Sequence, residues 1–536
     1  MSRTLIPSRS IKPLLDMPQL RVHCEQRVAA GDAEQTVQML LGMLDSLVMR
    51  HQRQMEHLAL LARERFGSSS ERVSAGQLVL ALADSSLIPQ AQESHSEVVT
   101  EDPPATPPRR YKRPARKLIA GQLPSHLPRI PNISEPTPEE RCCKECGGDK
   151  KLIGTEHSEL LEWVPGGFQV EVTERRKYAC RKCQSGVVIG PAPVRVLDGA
   201  LPGPGLLAEI LCRKGNEHNP LERQSRIFIR RHGVPLSPST LGDWYSRALD
   251  LLEPIHKRIG KVCQSRSHLS TDATPLPVLD HDDPRGIKRG HLWPVRSDSE
   301  VLFLYAPTGT GTLVSEFLAD FKGTLQTDGT STVNKIFDRK NPSPPIRAGC
   351  MAHMRRRFFK AMEAGDALAV FPMKLIGQLY DIERAASQRA LDAAERQKLR
   401  EQKSAPLMNA LREHIEQLSY RAIPKSLLGK AVSYALHQWE PLTVFLSDGA
   451  LAIDNNLTEQ RIRPVAMGRR NFLFAGSDAG AHRLATLYTL MGSCDIAGIV
   501  DPWAYLRDVL DKLSRDWPQS RIDELLPRQW KAARAQ

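Results

Sequence analysis

No run of eighteen apolar residues occurs in the 536-residue sequence, so no ordinary membrane-spanning helix is expected. The opening residues, Met1-Ser2-Arg3-Thr4-Leu5-Ile6-Pro7, lack the apolar stretch of a signal peptide, and a cytoplasmic protein without membrane contact is expected. Cysteine is scarce. Ten in this length are too few for a disulfide scaffold, and four of them fall into two close pairs, which points to metal in a reducing compartment. A nucleotide-phosphate loop is also missing, because Pro307-Thr308-Gly309-Thr310-Gly311 lacks the lysine such a loop needs. Acidic residues number 61 against 74 basic ones, leaving a formal net charge of +13 and a pI near 9.3. A surplus of that size favours a polyanionic partner, most commonly nucleic acid. Hydrophobic residues at 41% and charged residues at 25% are ordinary for a soluble globular protein, and the length calls for several domains.

Residues 1–87 form a helical region. Val37, Leu40, Leu41, Leu44, Leu47, Val48, Met55, Leu58 and Leu61 recur at helical spacing across 34–64. The stripe serves either packing within its own domain or a short, imperfect coiled coil between copies, since His51 and Gln54 interrupt a strict heptad. Residues 88–140 are rich in Pro, Ser, Thr and Glu and form a linker. Within it, Arg109, Arg110, Lys112 and Arg113 open a basic tract that continues to Lys117. Such a tract either follows a phosphate backbone or is a solvated charge run.

Residues 141–190 contain Cys143-Lys144-Glu145-Cys146 and, 33 residues on, Cys180-Arg181-Lys182-Cys183. Thiolates two residues apart grip one ion from a tight turn, and two such turns complete a tetrahedral Zn²⁺ site. A site closed by four cysteines has no open position and is structural. Glu162-Trp163-Val164, Pro165-Gly166-Gly167 and the alternating Phe168, Val170 and Val172 predict a β-hairpin between the two turns, giving a zinc-ribbon-like module. In residues 200–260, a helix through Leu221, Ile227, Phe228 and Ile229 is broken at His232-Gly233-Val234-Pro235. A second begins behind Ser237-Pro238 and runs through Leu241, Trp244, Tyr245 and Ala248. The spacing fits a DNA-binding helix-turn-helix, or any helical hairpin.

From 268 the pattern becomes one of strands: His268–Leu279, Leu292–Arg296 and Val301–Tyr305, a helix through Leu313 and Phe317, then the short strand Thr324-Leu325-Gln326-Thr327-Asp328-Gly329 ending in an acid, and Pro345–Cys350, leading into a helix over Met351–Met362. This order predicts a ribonuclease H-like core, whose first part spans 265–362. An all-helical insertion follows at 363–446, including a helix over Ala393–Leu418. The core resumes at 447–490, and a C-terminal helical element occupies 491–536. The fold class is thus α+β and multidomain, the core being preceded by the helical N-terminus, the zinc module and the helix-turn-helix.

Phosphodiester cleavage needs an activated nucleophile and stabilisation of the leaving oxygen, and two divalent ions about 3.5–4 Å apart supply both. The protein's part is a set of hard oxygen ligands converging from separate elements. Asp272 on the first strand, Asp328 at the end of the fourth, and Glu459 on the helix after the insertion occupy the positions where this fold presents metal ligands. They are expected to be the catalytic residues and to hold Mg²⁺ or Mn²⁺. Arg463 lies one helical turn beyond Glu459 and is placed to orient it. With Arg469 and Arg470 it is also a candidate DNA contact, or alternatively a surface ion-pair partner.

The stretches Leu269-Ser270-Thr271-Asp272-Ala273-Thr274-Pro275 and Leu325-Gln326-Thr327-Asp328-Gly329 resemble the surroundings of the first two acids in the insertion-sequence-66 family of bacterial transposases. The block Ile453-Asp454-Asn455-Asn456-Leu457-Thr458-Glu459, running on to Arg463-Pro464, is similar to that family's third-acid motif. It continues as Gly468-Arg469-Arg470-Asn471-Phe472-Leu473-Phe474-Ala475-Gly476-Ser477. The resemblance extends to the cysteine-pair segment, the helix-turn-helix, the leading helix ending in Arg65-Phe66-Gly67, and the tail around Asp501-Pro502-Trp503. It implies metal-dependent cleavage and strand transfer of DNA at insertion-sequence ends by an acidic (DDE) triad. It also implies a homo-oligomer that pairs two ends, and accessory proteins encoded by the same element. Two departures stand out. Ala273 replaces a usual second acid, and Gly329-Thr330-Ser331-Thr332-Val333 lacks the usual tyrosines. Cys350 and His353 resemble a Cys-x-x-His motif seen in several such transposase groups, for which a structural role is expected.

Overall fold

The computed structural model describes residues 17–29, 31–66, 123–182, 186–337 and 344–534, which fall into two compact units. Among the described residues, no helix is long and apolar enough to cross a membrane.

The first unit takes in two N-terminal helices and residues 353–439, and among the described residues all its elements are helical. Helix α1 (Met17–Ala29) is followed by the 34-residue α2 (Ala33–Phe66). In the first part of α2 the apolar positions Val37, Leu41, Leu44 and Val48 are all exposed.

The second unit is α+β. After the short helix α3 (Pro138–Arg141), strands β2 (Lys151–Val164) and β3 (Gly167–Ala179) form a long hairpin, closed at Pro165-Gly166 where Gly166 adopts φ 101°. Strand β1 (Arg129–Ser134) lies parallel to β3 on the edge away from β2, and β4 (Val188–Ile189) pairs on that same edge further along β3. Helices α4 (Pro204–Gly215), α5 (Leu221–His232) and α6 (Pro238–Gln264) follow. Gly233 closes α5 in the left-handed conformation, and Ser237 caps α6 by accepting from the Thr240 N–H. α6 runs far beyond a short recognition helix. Its second half, through Ile255, Ile259 and Cys263, is buried in the core.

The second sheet comprises β5 (His268–Thr271), β6 (Thr274–Leu279), β7 (Ile287–Arg296), β8 (Val301–Ala306), β9 (Thr324–Gln326) and β10 (Ile346–Ala348), with helix α7 (Thr312–Phe317) between β8 and β9. β10, β9 and β5 are parallel neighbours. β7 runs antiparallel to β5 and β6 along one edge and to β8 along the other. The sequence predicts a single strand over 268–279, whereas the structure has two that keep one register on β7, with Thr271 opposite Val295 and Thr274 opposite Leu292. The break is local. The Asp272 carboxylate accepts the N–H of Ala273 at 2.7 Å, diverting that donor from the ladder.

Helix α8 (Met351–Glu363) leaves β10 and enters the helical unit. There, α9 (Val370–Gln388), α10 (Ala393–Leu399), α11 (Ala405–Ser419) and α12 (Leu427–His437) follow. The single helix predicted over 393–418 is interrupted by a π-helical turn at Arg400–Ser404. Arg400, wholly buried, reaches Glu383 of α9 with two bonds of 2.7 Å, and this bidentate pair fixes the turn.

The chain returns through α13 (Trp439–Thr443) to α14 (Asn456–Phe472), α15 (Asp478–Ala497), α16 (Pro502–Ser514) and α17 (Pro527–Arg534). α15 is apolar on nearly every side because it is buried against the sheet edge. Its hydroxyls complete that edge. Thr489 accepts the Phe303 N–H at 2.8 Å, and Ser493 accepts from Val301 and donates back to its carbonyl. Gly492 permits the approach, since a Cβ there would stand 2.6 Å from the Val301 side chain.

Candidate active site

β5 and β9 run in parallel with His268, Leu269 and Ser270 opposite Thr324, Leu325 and Gln326. Asp272 lies two residues past the last pair on β5, and Asp328 two residues past it on β9, so both acids leave the same end of two adjacent strands. Asp328 opens a turn: its carboxylate accepts the Thr330 N–H at 3.0 Å, and Gly329 takes φ 82°.

α14 begins at this same end. Asn455, at its N-cap and buried, donates from its amide to the Thr271 carbonyl at 3.1 Å. The Thr458 hydroxyl, fully buried, hydrogen-bonds the Ser270 hydroxyl. Glu459 in the first turn of α14 is therefore carried to the strand end that bears Asp272. Two further ties hold the frame. Gln326 donates to the Gly349 and Ala452 carbonyls, and the Cys350 sulfur accepts the Asn455 N–H at 3.3 Å. Cys350 thus serves as an acceptor for the start of α14, a role its spacing to His353 does not reveal. Ala273 packs partly buried against the core.

The three acids offer only carboxylate oxygens, the hard donors that Mg²⁺ and Mn²⁺ prefer, so their chemistry fits such ions, but among the described residues their oxygens are not gathered within 4.8 Å of one another. Of the basic candidates, Arg463 and Arg470 are exposed on α14. Arg469 is engaged, its guanidinium donating to the Pro275 carbonyl. Arg109, Arg110, Lys112 and Arg113 lie outside the described residues. Two cationic positions carry no motif in the sequence and emerge only in three dimensions: Arg289 on β7, beside Arg469 and Arg470, and Arg223 on α5, which bonds Asn471 at 3.3 Å.

α5 presents Arg223, Arg226, Arg230 and Arg231 to solvent. The outer face of α6 carries Asp243 and Asp250, the latter accepting from Nε and one terminal nitrogen of the Arg483 guanidinium. Further cations, Arg247, Lys257, Arg258 and Lys261, lie along α6, so both helices of the pair carry cationic charge.

The sulfur atoms of Cys143, Cys146 and Cys180 lie within 4.8 Å of one another, with Cys146 and Cys180 at 3.5 Å. Cys143 and Cys180 are buried and Cys146 is exposed. The turn that gathers the first two is tight: the Gly147 N–H bonds the Cys143 carbonyl, and the Cys143 N–H bonds that of Gly148. Three thiolates at this separation match tetrahedral Zn²⁺ coordination. Cys183 lies outside the described residues.

Sequence logic does not find Glu162. Its carboxylate is buried and accepts N–H bonds of 2.7 Å from Trp163 and from Leu206 in the first turn of α4, joining the hairpin to the helices. Burial outweighs those bonds and pushes its pKa up to about 7.

Comparison with known proteins bears on this arrangement. The family described as Transposase IS66 family matches residues 199–483, and the zinc-finger binding domain of transposase IS66 matches 140–184. A family described as Transposase C of IS166 homeodomain matches 53–131, and the IS66 C-terminal element matches 489–528. The chain is 35% identical over 492 residues to the uncharacterized protein y4jD of Sinorhizobium fredii, covering 89% of this chain and 94% of that one. It is 32% identical over 536 residues to y4qI from the same organism, covering 96% and 95% respectively.

Proposed function

The chain belongs to the IS66 family of transposases, and from that premise we propose that it cuts DNA at insertion-sequence ends and joins it to a target, with Asp272, Asp328 and Glu459 as the metal-holding triad. What supports this reading is the shared strand end: the register of β5 on β9 sends the chain toward Asp272 and Asp328 from the same end, and two hydrogen bonds tie the start of α14 to β5 there. The order of the second sheet, with three antiparallel strands followed by two parallel ones beyond β5, supports a ribonuclease H-like core.

Two divalent ions held there would stabilise the leaving oxygen and activate the attacking one. The chain's own residues bind and aim. Asp272 and Asp328 offer carboxylates from a rigid sheet edge, and Glu459 closes the set from a helix start tied by Asn455 and Thr458. Arg463, one turn on, is placed to meet a phosphate or to steady Glu459. Exposed arginines of α5 and α14 hold the duplex through its backbone. Cys183 completes the zinc site with Cys143, Cys146 and Cys180. The exposed stripe of α2, spaced four, three and four residues from Val37 to Val48, forms a seam with a second copy, as pairing two DNA ends requires. Accessory proteins of the same element assist, and the site of action is the cytoplasmic nucleoid.

The test is cleavage and joining of labelled element-end duplexes in Mg²⁺ or Mn²⁺. Wild type is expected to cut and join, and Asp272→Ala, Asp328→Ala and Glu459→Ala to bind without cutting. An alanine variant that retains wild-type cleavage would remove that acid from the triad.

A further inference from the structure

The end of α14 carries a feature that the acid chemistry leaves unused. At Leu473 the chain turns with φ 63° and ψ −48°, and the Phe474 N–H donates back to the Phe472 carbonyl at 2.7 Å. This is a γ-turn of the rare, strained hand, which glycine enters freely and a leucine does not. Backbone ties account for the tight turn. The Leu473 N–H still bonds the Arg469 carbonyl, and two residues on, Ala475 donates to Pro277 and accepts from Leu279 at the edge of β6. They do not account for the side chain. A branched apolar residue stands at the strained position with 63% of its surface in solvent, and the exposed Phe474 follows it.

Its surroundings are cationic. Leu473 lines a cavity of about 510 Å³ together with Pro275, Pro277, Arg289, Ala466, Arg469 and Arg470. Arg289 and Arg470 are exposed, and Arg223 of α5 adjoins through Asn471. An apolar tip ringed by guanidinium groups complements a polymer that is anionic outside and stacked within. Duplex DNA has that construction, and leucine is among the side chains that wedge between base steps.

We infer that Leu473 is a wedge that enters the base stack of the element-end duplex, while Arg289 and Arg470 hold the flanking phosphates; the inference rests on the transposase reading. Arg463, Met467 and Arg470 continue from Glu459 along one exposed face of α14 at spacings of four, four and three residues. Fourteen residues separate Glu459 from Leu473, roughly 21 Å of helix at 1.5 Å per residue. At about 3.4 Å per nucleotide, that places the opened step about six base pairs from the phosphate at the acids. Unstacking there softens the duplex where one strand must bend into the site.

2-Aminopurine placed at successive positions of the end duplex reports unstacking by a rise in fluorescence. With wild type, and with Asp272→Ala to block cutting, a rise is expected about six steps from the cleavage point. Leu473→Gly is expected to abolish it and to slow cleavage about tenfold or more, while binding persists. An abasic nucleotide at the opened position is expected to restore cleavage by that variant. Since glycine relieves the backbone strain, the variant is expected to melt no lower than wild type, so lost activity is not lost folding. A rise that survives in Leu473→Gly, a bound complex without any rise, or unchanged cleavage would overturn the wedge. A duplex that does not bind would overturn both readings. A wedge-dependent rise without any cleavage by wild type would overturn the transposase reading alone.

Discussion

Asn455 illustrates how much rests on single side chains. The hydrogen bond from its side-chain amide to the Thr271 carbonyl is one of two that tie the start of α14, and with it Glu459, to the strand that precedes Asp272. Asn455→Ala leaves a buried carbonyl unsatisfied and is expected to cost about 1–3 kcal/mol of stability. Cleavage should fall further than DNA binding, because the third acid loses its anchor; equal losses in a paired binding and cleavage assay would refute that. Glu162 acts through pH. Its folded pKa of about 7 lies above the ordinary 4.5, so the associated stability is present below about pH 4.5 and is lost as pH rises through 7. The span corresponds to about 3 kcal/mol at most. Glu162→Gln keeps an acceptor for the N–H groups of Trp163 and Leu206 without the charge. The variant should gain in melting temperature on wild type between pH 5 and pH 8, and a constant difference would mean that Glu162 is not buried in this way.

Elements built on one strong local signal are legible in the sequence, and elements set by tertiary contact are not. The β2–β3 hairpin follows from alternation around Pro165-Gly166, and α6 from Ser237-Pro238. The cysteine spacing brings three sulfurs together as expected. The break between β5 and β6 has no compositional sign, because it arises from the bond of Asp272 to its own neighbour's N–H. The π-helical turn at 400–404 is equally silent, fixed by Glu383 of another helix. Cationic positions split the same way: Arg463 and Arg470 stand in a motif, while Arg289 joins them only through the sheet. Two predictions belong to elements. Leu41→Lys with Leu44→Lys places charge on the exposed apolar positions of α2 proposed as a seam and is expected to shift the protein to lower mass in sedimentation and to abolish the proposed cleavage of paired ends. Chelation of zinc, or Cys146→Ser, is expected to loosen the hairpin and lower the melting temperature; a chelator without effect on melting would show that the cysteine cluster holds no structural ion.

For the whole molecule, the hydrogen bond from Asn455 to Thr271 closes a separation of 184 residues, nearly half of it spent on the helical unit at 353–439. A ribosome adding about 5–20 residues per second takes roughly 10–40 s to cover that distance. During this interval the chain already displays its zinc module, the arginines of α5 and two of the three acids, but not the third. In synchronised cell-free synthesis, retention on end DNA should therefore appear before cutting does, and simultaneous onset would contradict this. On the proposed function, the helical unit then contributes a delay: each nascent chain is expected to meet DNA near its own gene as a binder first and as a cutter later.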